Sequence, residues 1–181
     1  MTVRMTGFAR SAGLRTGVFS RRNFIGLGLG ALVSGCASYV PDGRTTLPQL
    51  SRETIIAKIN RVRTDNGRKP LSYNGALARA ARTHANLMAA RGELSHTVGG
   101  TLRERVNAAG YFGAVGENLA GGQRTLEGAI QGWMESAGHR STLLSPRFTE
   151  FGLAAASGGG EYTTYWALIM GGTFEAWKVG R

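Results

Sequence analysis

The order of the secondary-structure signals constrains this chain most. Helix signals come first, strand signals concentrate after residue 145, and no regular strand–helix–strand alternation joins them. Ser51 can cap a helix running to Asn66, with Glu53 in its first turn and Ile55, Ile59 and Val62 on one face. Gly67 and Pro70 stop it. Asn74 can cap a second helix to Arg91, with Leu77, Ala81, His84 and Met88 on one stripe. Thr101-Leu102-Arg103-Glu104 is a capping box for a short third helix to Ala109, ended by Gly110. A fourth runs from about Thr125 to Ser136, with Leu126, Ala129, Ile130 and Trp133 on its apolar side. Beyond 145, the apolar run Phe151 to Ala156, the turn cluster Ser157 to Gly160 and the aromatic, β-branched run Tyr162 to Met170 read as a hairpin. Val115 to Ala120 reads as a further strand. This order predicts an α+β fold rather than a doubly wound parallel sheet.

A chain of 181 residues allows one domain, and 42% hydrophobic residues suffice for its core. The single cysteine excludes an intrachain disulfide and a thiolate zinc cluster. The net charge of +11 invites a nucleic-acid reading. Its distribution argues against one. Residues 1–35 hold five arginines and no acid, the remaining 17 Lys/Arg face 11 Asp/Glu, and no basic run exceeds two residues. Nucleic acid is therefore not an expected partner.

The N-terminus reads as an address. Arg21-Arg22 precedes a weakly apolar stretch of about ten residues, too short to span a ~30 Å hydrocarbon core. Gly26, Gly28, Gly30 and Gly35 argue against a buried helix, since each costs roughly 1 kcal/mol against alanine. The segment resembles a twin-arginine export signal. Val33-Ser34-Gly35-Cys36 resembles a bacterial lipobox, which implies lipidation of Cys36 and a membrane anchor. Ala37, following that cysteine, lacks the acid that resembles an inner-membrane retention signal, which points to the outer membrane where the host has one. The expected organisation is an export signal over 1–35, a lipidated cysteine and flexible tether over 36–50, and a domain over 51–181. Fully extended, the fourteen tether residues after Cys36 reach roughly 50 Å.

Three residues stand out as chemistry: His96 in Leu94-Ser95-His96, Glu117 in Gly116-Glu117-Asn118, and His139 in Gly138-His139-Arg140. Each lies in a loop or near an element end, beside small residues that permit close approach. His84, on an apolar helix face, reads as a hydrogen-bonded core residue. Trp133 and Trp166 read as core, and Trp177 as exposed. Arg140 suits either an anionic substrate group or charge compensation at a helix end.

Seven pieces occur in one order: Asn60-x-x-Arg63, Lys69-Pro70-Leu71, Leu94-Ser95-His96, Gly116-Glu117-Asn118-Leu119-Ala120, Trp133-Met134-x-Ser136-x-Gly138-His139-Arg140, Phe148-Thr149-Glu150-Phe151-Gly152 and Tyr165-Trp166. Together they resemble the CAP superfamily of cysteine-rich secretory proteins, venom antigens and plant pathogenesis-related proteins. The likeness covers about residues 52–175 and is greatest to the compact bacterial branch without disulfides. It implies an α–β–α sandwich with a small antiparallel sheet between helical layers. It also implies a cleft lined by two histidines and two acids, of which His96, Glu117 and His139 match three. Where the family places the second acid, this chain has Ser136. Glu135 is one position early, about 100° away on a helix.

Such a cleft supports several chemistries. His96, His139 and Glu117 are a candidate metal set, with Zn²⁺ the candidate cofactor and none required. Without metal, Glu117 can orient a histidine general base. A Ser136–His139–Glu117 triad is a weaker picture, since Ser136 lies on no nucleophile elbow. A purely structural polar cluster is the remaining reading. The sequence thus predicts a cell-envelope protein, exported and lipid-anchored, with a cleft for a metal, a lipid or a cell-wall ligand. The competing class is a hydrolase acting on envelope peptides or glycans with the same residues.

Overall fold

A computed structural model describes residues 50–178. The expected export signal, Cys36 and all but the last residue of the expected tether lie outside the described residues.

The helices form where their caps stand. Helix α1, Arg52–Asp65, starts at Ser51, whose hydroxyl accepts from the Thr54 N–H. Helix α2, Gly75–Arg91, starts at Asn74, whose Oδ1 accepts from Ala76 and Leu77, and ends at left-handed Gly92. Helix α3, Leu102–Ala108, carries the complete Thr101/Glu104 capping box. Helix α4, Leu126–Glu135, is capped by Thr125. A further helix, α5, Ala137–Leu143, follows at once, separated only by extended Ser136. The sequence pattern ends its last helix at Ser136 and gives no sign of α5, whose seven residues carry neither a side-chain cap nor a long apolar stripe.

The three expected strands are present. They are β2, Ala114–Gly121, β3, Glu150–Ser157, and β4, Thr164–Gly172. A two-residue strand, β1, Ser72–Tyr73, is not expected from the sequence, being too short to show any period. The sheet order is β1-β3-β4-β2. Strands β3, β4 and β2 pair antiparallel, and β1 adds a short parallel edge beside β3.

Strand alternation sorts the core onto the two faces of this sheet. On β4, Trp166, Leu168 and Met170 join Ile59, Leu126, Trp133 and Leu143 from α1, α4 and α5. Tyr165, Ala167 and Ile169 point the other way, to Leu77, Ala81 and Met88 of α2 and Val106 of α3. This is the expected α–β–α sandwich. Every residue of β4 is buried, as a central strand covered on both faces requires. Trp133 and Trp166 are core, as read from the sequence.

Helix α2 lies unusually close to the sheet. A Cβ at Gly152 would stand 2.1 Å from the Ala78 nitrogen, and one at Gly158 2.3 Å from the Ala89 carbonyl oxygen. The buried face of α2 is accordingly rich in alanine: Ala78, Ala81, Ala85 and Ala89. On the opposite layer, Asn60 both donates to and accepts from the Leu71 backbone. Buried Arg63 donates to the carbonyls of Lys69, Leu143 and Ser145. These bonds give the Asn60-x-x-Arg63 motif its physical meaning: it fastens α1 to the loop before β1 and to the end of α5.

Candidate functional site

The site forms around β2, an edge strand with a helical layer on each side. Alternation sends Glu117 and Leu119 toward α2 and α3, and Asn118 and Ala120 toward α4 and α5. Neighbouring residues of one strand therefore reach both layers.

The Glu117 carboxylate is buried and fully engaged. Oε1 lies 2.9 Å from His84 Nδ1, and Oε2 lies 2.8 Å from His96 Nδ1. Arg105 Nη2 donates to both oxygens, at 2.9 and 3.0 Å. These four bonds use the roughly four lone-pair directions a carboxylate offers. Burial alone would raise the pKa of Glu117. The bond and charge of His84, with Arg105 and His96, outweigh it and hold the group below the ordinary glutamate value.

The same partners fix the backbone that carries His96. His84 Nε2 bonds the Ser95 carbonyl oxygen at 2.9 Å, and Arg105 Nη1 donates to the His96 carbonyl oxygen at 3.0 Å. Both nitrogens of fully buried His84 thus face oxygen acceptors, one on the Glu117 carboxylate and one on the Ser95 backbone. His84, Arg105 and Glu117 form a clamp inside the domain. His96 is its outward end: the side chain is 58% exposed, while the three clamp side chains are at most 3% exposed.

His139 comes from the other layer. It lies on α5, and its carbonyl oxygen accepts from Asn118 Nδ2 at 2.9 Å. Burial, then the charge of nearby His96, lowers its pKa. The two expected histidines are thus tied to neighbouring residues of β2, His96 to Glu117 and His139 to Asn118, close enough for the charge of one to act on the other. Ser136 is half-buried at the α4–α5 junction, and no hydrogen bond joins it to His139 among the described residues. Glu117 bonds His84, His96 and Arg105, so the Ser136–His139–Glu117 triad is not assembled. Glu135 is exposed and accepts from Gln131 one turn back, as its rotation on the helix implied.

The residues do not fit the candidate zinc site. Glu117 has both oxygens committed to protein donors, and His96 spends Nδ1 on it. Among the described residues no group of three or more His, Cys, Asp or Glu is placed to hold a metal ion. Glu117 orients His96 instead.

Sequence reasoning missed Arg105 and understated His84. It places His84 correctly as a hydrogen-bonded core residue, but not as a partner of Glu117. A signal is present: a histidine on an otherwise apolar stripe and a glutamate entering a buried strand each need a buried polar partner. Arg105 gives none, being one of two arginines in a short polar helix.

A model of the cysteine-rich secretory protein family (CAP) matches residues 56–170. The chain belongs to this family. A curated relative, the uncharacterized protein YkwD of Bacillus subtilis (strain 168), is 30% identical over 112 residues, covering 60% of this chain and 44% of the relative. Another, the uncharacterized membrane protein YlbC of the same bacterium, is 29% identical over 106 residues, or 57% of this chain and 31% of its own. The chain thus spans less than half the length of the curated relatives it matches. Among solved structures, an extracellular protein containing an SCP domain from Bacillus anthracis superposes with a TM-score of 0.59 at 27% identity, covering 67% of this chain and 40% of that one. An outer surface protein from Borrelia burgdorferi reaches the same TM-score of 0.59 at 19% identity, over 67% of this chain and 91% of its own, a likeness of fold. This chain is therefore a CAP-domain protein with an extracellular homologue. Among the described residues no helix is long and apolar enough to cross a membrane.

Proposed function

We propose that this chain is an exported, lipid-anchored cell-envelope protein whose CAP domain is a binding module. Arg21-Arg22 would direct export, Cys36 would carry the acyl anchor, and the tether would hold the domain off the membrane, on the outer membrane where the host has one. The ligand would be a lipid or a cell-wall fragment, held between His96 and His139. The observation that carries this reading is the clamp on Glu117. A carboxylate with every lone pair engaged is a positioning group, and what it positions is an exposed imidazole whose charge acts on a second one, that of His139.

One observation favours a second reading, a hydrolase. Glu117 bound to His96 Nδ1 leaves Nε2 directed outward, the arrangement of a carboxylate-oriented general base. Its pH–rate profile would carry a basic-group limb that disappears in His96→Ala.

The test is an NMR titration of the full chain with purified muropeptides and with phospholipid vesicles, following the histidine imidazoles. Saturable shifts at His96 and His139, lost in His96→Ala and His139→Ala variants that still fold, support the module. Turnover of the muropeptide, lost in the same variants, supports the hydrolase. Absence of both would leave the cluster a structural one. Incorporation of labelled fatty acid, abolished by Cys36→Ser, tests the anchor.

A further inference from the structure

A second surface, on the α5 side of the domain, gathers arginines. Arg68 follows α1, Arg140 lies on α5, and Arg147 follows it. All three line one open groove of about 630 Å³, with Phe148 and Trp177 on its walls. No aspartate or glutamate lines it. None of the three forms an ion pair with a described residue. Buried Arg63 adds charge behind the groove. Its bonds go to the Lys69, Leu143 and Ser145 carbonyls, and it forms no ion pair with a described residue. Its pKa is lowered by burial and then by the charge of Arg68.

Two of these arginines are already held in place. The Arg147 guanidinium carbon lies 4.6 Å from the centroid of the Trp177 ring, which itself lies 5.6 Å from that of Phe148. Stacking leaves the in-plane N–H donors of a guanidinium available. Arg140 donates one Nη1 hydrogen to the Met134 carbonyl oxygen at 3.0 Å, which fixes the side chain and spares its other donors. A lone carboxylate needs only one arginine fork. Three convergent cations with no acid among them match a group with more oxygens and more charge.

We propose that this groove binds a phosphate ester: Arg140 and Arg147 donate to its oxygens, Arg68 adds charge, and Trp177 covers the organic part. None of His96, Glu117 and His139 lines this groove, and the proposal does not depend on their role. The phosphate could be that of a small soluble ester or of a lipid headgroup, and one experiment distinguishes them.

The full 181-residue chain, ¹⁵N-labelled on tryptophan, is titrated with sn-glycerol 3-phosphate, with phosphatidylcholine vesicles, and with phosphatidylcholine vesicles containing phosphatidylglycerol. Trp177 is 40% exposed, whereas Trp133 and Trp166 are buried and serve as internal references. A saturable shift of the Trp177 indole with glycerol phosphate means a soluble ester suffices. A response only to phosphatidylglycerol vesicles makes the lipid headgroup the source. In either case Arg140→Gln/Arg147→Gln weakens binding at least about tenfold, as loss of charge-assisted bonds to an anion requires. Arg82→Gln, which removes an exposed arginine from α2 on the opposite layer, leaves it within about twofold, since distant exposed charges are screened. No response to either phosphate, an equal response to both kinds of vesicle, or an equal loss in the Arg82 variant would overturn the proposal.

Discussion

Glu117→Gln removes one charge and almost no volume, so it isolates what the clamp contributes. In the parent, the side chain is 2% exposed and faces Arg105 and His84, both buried. The amide replaces one accepting oxygen with an NH₂ that points its hydrogens at an Arg105 or histidine donor. Arg105 would then stay buried with its anionic partner gone. Removing one member of a buried ion pair costs about 3–5 kcal/mol, because the remaining charge is left uncompensated. For a domain of this size that lowers the melting temperature by roughly 10–20 °C. Urea unfolding at pH 7 suits the measurement. Trp133 reports locally, since its indole N–H donates to the Leu119 carbonyl two residues from Glu117. Ser136→Ala is the matched control and should shift stability by no more than about 0.5 kcal/mol, as a partly exposed hydroxyl outside any hydrogen bond. A Glu117→Gln variant within about 1 kcal/mol of the parent would refute the reasoning, since the carboxylate would then not be balancing buried charge.

Other outcomes follow from the same geometry. His84→Ala should destabilise by several kcal/mol and His96→Ala by about 1 kcal/mol or less, because one is buried on two bonds and the other is largely exposed; equal losses in urea unfolding would contradict the division between clamp and presented group. Stability should fall in two stages on acidification. The folded pKa of His139 is lowered, so its contribution is complete above the unfolded value of ~6.5 and is lost as pH falls through the folded one. The folded pKa of Glu117 is lowered too, so its contribution is complete above ~4.3 and lost below that. Melting temperatures from pH 8 to pH 3 should show both stages, with His139→Ala removing the first and Glu117→Gln the second. Gly152→Ala should cost at or beyond the upper end of the ~1–3 kcal/mol of ordinary overpacking, because the added Cβ meets the α2 backbone rather than a side chain that can turn away. A near-parental urea midpoint for that variant would mean α2 does not rest on β3 as described.

Legibility in the sequence followed the range of each signal. Caps are local, and Ser51, Asn74, Thr101 and Thr125 each mark a helix start that the structure keeps. The hairpin was legible because Ser157 to Gly160 separates two apolar runs. Helix α5 and strand β1 were not, because they are stabilised from outside. Leu143 on α5 is buried by the neighbouring layer, and β1 exists through its pairing with Glu150 and Phe151. The site divides in the same way. His96, Glu117 and His139 were nameable from their local settings and from the family likeness. Which of them touch was not, because the contacts of Glu117 span 33 residues back to His84 and 12 back to Arg105. From the sequence alone Glu117 suits a metal ligand, a histidine-orienting group and a structural acid alike; its position on the buried side of β2 commits it to the clamp.

The central claim is that Glu117 holds His96 by Nδ1 and presents Nε2 to the cleft. Long-range ¹H–¹⁵N correlation of the histidine side chains in the full chain at pH 8 tests this directly. The account predicts that neutral His96 carries its proton on Nδ1, the less common tautomer of a free imidazole, and reverts to the common one in Glu117→Gln. A His96 ring that carries its proton on Nε2, or exchanges freely between tautomers in the parent chain, would contradict it.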